Sequence, residues 1–151
     1  MNKTTYFEAY KQFCVYFNYR NQSFIRYCTV PMSWAFKDVQ KYLYILCNKA
    51  TLRDLKYHQK SVFLYNKKKA TFKIDEGFNV DVFWRDGIEW EIEMLLDKKT
   101  SQVTVVTESL ISENQLFEKV KQSYPLAKDI SIFYKKECWI KNNNYNRQEV
   151  D

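Results

Sequence analysis

The sequence predicts an α+β fold: two hairpin–helix–strand (ββαβ, β-grasp-like) units packed into one body with a mixed or antiparallel sheet and two main helices. Three observations predict it. Ile88, Trp90, Ile92 and Met94 alternate with Glu89, Glu91 and Glu93, the period of a strand with two unlike faces. Ala35, Val39, Leu43 and Leu46 recur at helical spacing, as do Leu116, Val120 and Tyr124. The order hairpin, helix, strand also occurs twice, over about residues 13–66 and 88–134, which suggests an internal repeat.

The elements follow in order. Thr5-x-x-Glu8 has the form of a capping box, and Tyr6, Tyr10, Phe13 and Phe17 continue it at helical spacing. The expectation is a short helix from Tyr6, then a strand from Phe13. Arg20-Asn21-Gln22 reads as a polar turn into a second strand, Ser23 to Thr29. Val30-Pro31 ends that strand, because proline has no N–H for the ladder. Ser33 is placed to cap a helix from Trp34 to Cys47, and Thr51-x-x-Asp54 suggests a further helical turn. Strands are expected at Ser61–Asn66, Ala70–Ile74 and Val80–Trp84, with turns at Lys67-Lys68-Lys69 and Asp75-Glu76-Gly77. Arg85-Asp86-Gly87 reads as a turn into Ile88–Met94, since Asp-Gly suits positive φ. Asp97-Lys98-Lys99 turns into Gln102–Thr107. Ser112-x-x-Gln115 is a capping box for a helix that Pro125 ends. Ile130–Tyr134 is a last strand, extending toward Ile140. Residues 1–140 form one domain in this reading, and 141–151 a polar, frayed tail.

Composition bounds the function. A chain of 151 residues with 46% apolar and 28% charged residues can bury a core without metal or disulfide staples. Only two Gly and two Pro occur, so corners that need positive φ must fall on Asn, Asp or Lys-rich turns. Aromatics reach 18%, and each Tyr or Trp wants a partner for its polar tip. The four cysteines, Cys14, Cys28, Cys47 and Cys138, have no C-x-x-C spacing, and no long apolar run or signal peptide is present. They read as reduced thiols of an intracellular protein, cytoplasmic or nuclear, with no membrane insertion. The net charge of +6 suits an anionic partner.

Val82 to Met94 (VFWRDGIEWEIEM) resembles a motif in a family of small plasmid- and transposon-encoded proteins named after the third open reading frame of a Ri plasmid. That motif runs from an aromatic stretch through Gly-Asp-Gly-Trp to Glu-His-Glu-Ile-Glu-Leu. Asp86, Gly87, Glu89, Glu91, Ile92 and Glu93 fit it; Ile88 stands at the family's Trp and Trp90 at its His. Val30-Pro31 followed by Phe36-Lys37-Asp38-Val39 is similar to the family's Val-Pro and helix entry. The resemblance implies an α+β fold and a mobile-element setting, and no particular reaction. Separately, the excess of Lys, Asn, Tyr, Phe and Ile over Gly, Pro and Ala is what an AT-rich plasmid, phage, viral or host genome produces.

No residue is assigned a catalytic role, and no cofactor or resident metal is implied. Glu89, Glu91 and Glu93 lie on one strand face and could meet a basic partner protein or a divalent cation. The commoner meaning of such a pattern is a solvated face. His58, the only histidine, has no Cys or Ser in motif context near it. The basic residues beside strand aromatics are more suggestive: Lys67, Lys68 and Lys69; Arg20, Arg26 and Tyr27 on the first hairpin; Lys135 and Lys136 beside Tyr134. Such pairs can stack bases and neutralise phosphates. The same residues serve equally to keep strand edges soluble. The expectation is a non-enzymatic accessory protein whose main partner is another protein, within a nucleic-acid-handling machinery. Direct DNA or RNA binding is the alternative, and a metal-dependent hydrolase or nuclease the third reading.

Overall fold

The computed structural model describes residues 6–65 and 83–142. Their fold is α+β. Strand β1 (Phe7–Tyr19) turns into β2 (Gln22–Pro31), followed by helix α1 (Phe36–Leu46), a 3-10 turn (Lys49–Thr51) and β3 (Leu52–Tyr65). The order then repeats as β4 (Trp84–Leu96), β5 (Lys99–Glu108), α2 (Glu113–Ser123) and β6 (Lys128–Lys141). Spacing is conserved between the two halves. The starts of β1 and β4 (7 and 84), β2 and β5 (22 and 99) and α1 and α2 (36 and 113) are all 77 positions apart.

Each half forms a three-stranded antiparallel sheet with its first strand in the middle, β2–β1–β3 and β5–β4–β6. Two short parallel contacts join the halves. Cys28 and Thr29 of β2 meet Trp139 and Ile140 of β6, and Phe63 and Leu64 of β3 meet Val105 and Val106 of β5. The six strands thereby close into a barrel, in the order β1-β2-β6-β4-β5-β3. The mixed sheet is therefore not open. Among the described residues, only the parts of β2, β3, β5 and β6 away from these contacts keep an edge without a barrel neighbour.

Side chains alternate across each strand. On β1, Phe13, Val15 and Phe17 pack under α1 with Val39, Tyr42 and Leu43. On β4, Trp90, Ile92 and Met94 pack under α2 with Leu116 and Val120. The opposite faces meet inside the barrel, where Tyr10, Val62, Leu64, Val106, Cys138 and Ile140 form a third cluster. The two halves also exchange their first residues. Phe7 joins the core under α2, while Phe83 and Trp84 join the core under α1.

Several expectations are corrected. No helix begins at Tyr6: β1 is a strand from Phe7. Helix α1 starts at Phe36, and the Ala35 N–H, not Ser33, marks its entry by donating to the Asp38 carboxylate at 2.8 Å. The Ser112–Gln115 capping box forms as expected, with bonds of 2.8 and 3.1 Å. Among the described non-glycine residues, positive φ falls on Arg20 and Asn21 and on Asp97 and Lys98 in the two hairpin turns, as a glycine-poor chain requires, and on Asp54 and Asp129 inside β3 and β6, where the strand register shifts. Strand β3 begins at Leu52, well before Ser61. Lys141 belongs to β6 and is buried beneath the Trp34 ring, and burial pushes its pKa down to about 8. The expected strand Ala70–Ile74, the turn Asp75–Gly77 and most of Val80–Trp84 lie outside the described residues.

Asp86-Gly87 is not a turn but the interior of β4. Glycine is needed there because a Cβ would meet Ile140 side-chain carbons at 2.6 and 2.8 Å and the Thr107 carbonyl oxygen at 3.0 Å. Gly87→Ala should cost about 1–3 kcal/mol of stability through overpacking at the barrel wall. Ile140→Val, which removes the nearest of those carbons, should recover part of the loss. Urea unfolding of the single and double variants checks this, and simple additivity of the two losses would contradict it.

Candidate functional site

Strand β2 builds the most distinctive surface. Its first half, Gln22–Tyr27, pairs with β1 on one side, and β6 joins on the other side only at Cys28. The stretch where β2 and β6 diverge is flanked by depressions. Phe17, Tyr19, Phe24, Leu43, Leu46 and Cys47, with Arg26 and Trp139, line a half-open cavity of about 270 Å³ between the sheet and the end of α1. Arg26 and Trp139 are shared with a second hollow of about 300 Å³, lined also by Ile25, Tyr27 and Glu137. Phe24 and Ile25 are shared with a third of about 360 Å³ that reaches Tyr16 and Lys56. Asn18, Ser23 and Asp54 continue that one into an open groove at the hairpin tip with Arg20 and Arg53. The hollows thus form a belt that follows β2 on both faces of its sheet, the α1 face carrying Phe24, Arg26 and Trp139 and the opposite face Ile25, Tyr16 and Lys56, and they adjoin at the strand's free edge.

Cations and rings alternate in this belt. The Arg26 guanidinium lies 5.3 Å from the Phe24 ring centre and 5.4 Å from that of Trp139, and its Nη1 donates to the Ile25 carbonyl at 2.8 Å. Phe24 stacks on Phe17 and Trp139 on Trp84, so both rings have firm backing. The Lys136 ammonium sits 4.1 Å from the Tyr27 ring centre. Arg20 lies over Tyr19 at the tip, at 5.1 Å. Register places Ile25, Tyr16 and Lys56 in one row across the sheet, and Tyr27, Cys14 and His58 in the next, all on one face. On it, Lys56 and His58 are exposed, and the His58 ring packs 5.7 Å from that of Tyr16.

The charge is unevenly divided. Residues 7–65 contain nine Lys and Arg but three Asp and Glu; residues 84–141 contain nine and ten. The first unit therefore carries a large positive excess, and the second is close to neutral.

The sequence-predicted residues separate accordingly. Arg20, Arg26, Tyr27 and Lys136 lie along the β2 belt or its junction with β6. Lys135 is exposed on β6. Lys67, Lys68 and Lys69 lie outside the described residues. The reading of Glu89, Glu91 and Glu93 as one solvated face is corrected: Glu89 is 0% exposed, because that face of β4 turns into the barrel. Its carboxylate takes Lys60 of β3 at 2.6 Å and Lys136 of β6 at 3.3 Å. Glu91 accepts from the Thr104 hydroxyl at 3.2 Å. Among the described residues, no three His, Cys, Asp or Glu side chains gather where a metal could sit. The four cysteines are free; burial pushes the Cys28 and Cys138 thiols up, Cys138 to about 12, so both stay protonated at neutral pH.

The roles of Phe24, Lys56 and Lys60 were not foreseen. The charge split between the halves was the available signal for Lys56 and Lys60. No protein-family model matches the chain, and no curated protein or solved structure matches it. Among the described residues no helix is long and apolar enough to cross a membrane.

Burial acts to raise the Glu89 pKa, but the Lys60 hydrogen bond and charge, with the Lys136 charge, outweigh it and hold the carboxyl below the usual carboxylate range. A depressed folded value means that the stabilisation is complete above the unfolded pKa of about 4.3 and is lost as pH falls through the folded value. Glu89→Gln should cost about 1–3 kcal/mol near neutral pH, a range kept low because both lysines can turn to solvent. It should also flatten the acid limb of the stability profile. Urea unfolding across the acid range reads both effects.

Proposed function

We propose that this protein binds single-stranded nucleic acid, without turning it over, through the surface of its first unit. The observation that carries this reading is the surface along β2, where Arg20 and Arg26 of the unit that holds the positive excess lie beside half-buried rings, with Trp139 and Lys136 of β6 completing it. A single strand offers phosphates for the cations and open base faces for the rings. A duplex keeps its base faces stacked and would use only the charge. Of the two binding readings made from the sequence, this geometry favours the nucleic-acid one.

Binding as an accessory to another protein is the second reading. It is favoured by Leu110 and Leu126, which are 90% and 83% exposed at the two ends of α2 on the near-neutral unit. A nucleic-acid surface on one unit and an apolar contact on the other fit an accessory factor in a nucleic-acid-handling machinery. The β-grasp-like character of the units, their origin by duplication, the mobile-element or viral setting and an intracellular, reducing compartment belong to the same proposal. The constant 77-residue spacing supports duplication, and the four free thiols support the compartment.

Fluorescence anisotropy with labelled oligothymidine tests the main reading. The logarithm of affinity should fall against that of salt concentration with a slope of about −2 to −3, as expected for three or four phosphates neutralised on a single strand. Lys56→Gln should weaken binding and reduce the slope by about 0.7, whereas Lys119→Gln on α2 should change neither. Absence of binding at low salt removes the proposal.

A further inference from the structure

We infer that the cavity between β2 and the end of α1 seats one unstacked nucleobase, with Phe24 and Trp139 as its aromatic walls and Arg26 as the cation for the adjoining phosphate. The inference rests on the proposed single-strand binding and adds to it a specific seat.

Four observations lead there. The cavity is about 270 Å³, at the small end of ligand pockets and on the scale of one heteroaromatic ring system. Its lining is almost wholly apolar: Phe17, Leu43 and Leu46 form part of the wall, and burial raises the Cys47 pKa, so that thiol stays protonated and adds no charge. Its one formal cation, Arg26, rests between two rings, a position from which a guanidinium can stack on a base or turn to a phosphate. The cavity is also not isolated. Its residue Tyr19 lies beneath Arg20 at the hairpin tip, and Arg26 and Trp139 also line the hollow where β2 and β6 diverge, so a chain leaving the cavity meets a cation on the same face and can pass round the free edge of β2 toward Lys56.

A free aromatic acid would need only the cavity and Arg26. The continuation of the belt toward further cations favours a base attached to its chain. The lining offers little hydrogen-bonding capacity for reading base edges. The Tyr19 hydroxyl, the exception beside Arg26, already accepts from the Asn48 N–H at 3.4 Å. The seat should therefore tolerate pyrimidines and purines alike.

The test compares oligothymidine with an abasic oligomer of the same length and charge. Anisotropy gives the affinities and tryptophan emission reports on Trp139, with Trp139→Phe as the control for assignment. Abasic backbone should bind about tenfold more weakly than oligothymidine and leave the emission unchanged. Leu46→Trp, which fills the cavity without altering charge, should weaken oligothymidine binding to the abasic level. Phe24→Ala should do the same by removing a wall, and it serves if Leu46→Trp fails to reach a native near-ultraviolet dichroism spectrum. Equal affinity for the two oligomers, with normal salt dependence, overturns the base seat and leaves single-strand binding standing. Binding of neither at low salt overturns both.

Discussion

The barrel closes through two parallel contacts of two residue pairs each, and much of the interior follows from that narrow seam. Each three-stranded sheet has a helix over one face and would leave the other face wet. Bringing the two bare faces together buries Tyr10, Val62, Leu64, Val106, Cys138 and Ile140 in a common interior. Phe7, Phe83 and Trp84 cross the seam into the opposite cores, so neither unit completes its apolar cluster from its own residues. The seam also explains the glycine in β4. Where Gly87 faces Ile140 and the Thr107 carbonyl, the walls leave no room for a methyl group.

The two units share geometry without sharing chemistry. Gln12 on β1 and Glu89 on β4 are 77 positions apart, each on the middle strand of its sheet and each buried, at 1% and 0% exposure. Gln12 is neutral and donates to the Thr29 hydroxyl at 3.2 Å. Glu89 is charged and takes lysines from β3 and β6, one from each unit. A second carboxylate at position 12 would place two like charges in one interior and push one of them to protonate. A repeated backbone can therefore hold one buried carboxylate at this pair of positions, and its bond to Lys60 of the first unit ties the units together.

This arrangement also explains how much the sequence disclosed. The strand alternation in β4, the spacing of both helices and the Ser112–Gln115 capping box depend on local physics and were readable. Strand β1 was half misread because the barrel buries both its faces: Gln12 and Cys14 on one side are as enclosed as Phe13 and Val15 on the other. Burial on both sides erases the period of two and lets Tyr6, Tyr10, Phe13 and Phe17 pass for a helical stripe. The early part of β3 failed for the opposite reason. Most of Arg53 to Lys60 is exposed, so it carries little alternation to read. Gly87 passed for a turn because a glycine needed for space looks the same in sequence as one needed for positive φ. The alternation around Glu89 was correct, but whether its polar face meets water or a closed interior is decided by strands far away in the chain. The β2 belt was half legible. Arg20, Arg26 and Tyr27 stood out as cations beside rings, whereas the cavity depends on α1 and β6 arriving beside them.

Cations along a strand edge have an ordinary purpose, which is to keep edges from pairing with other chains. That purpose needs charge of either sign, and β6 illustrates it: Lys128, Lys135 and Lys136 are interspersed with Asp129 and Glu137. The exposed parts of β2 and β3 differ. Arg26, Arg53 and Lys56 are offset there by Asp54 alone, while Lys60 is taken up by Glu89. Edge protection does not call for such an excess, and mutual repulsion makes it costly to the folded state. Nor does it call for rings to be left half-exposed beside the cations, since exposed rings add to the association that protection opposes. A partner that is both anionic and flat-faced accounts for the two features together. The first unit meets both conditions; the second leaves Phe133 and Tyr134 exposed beside lysines but has no cation excess, although their backbones follow the same plan.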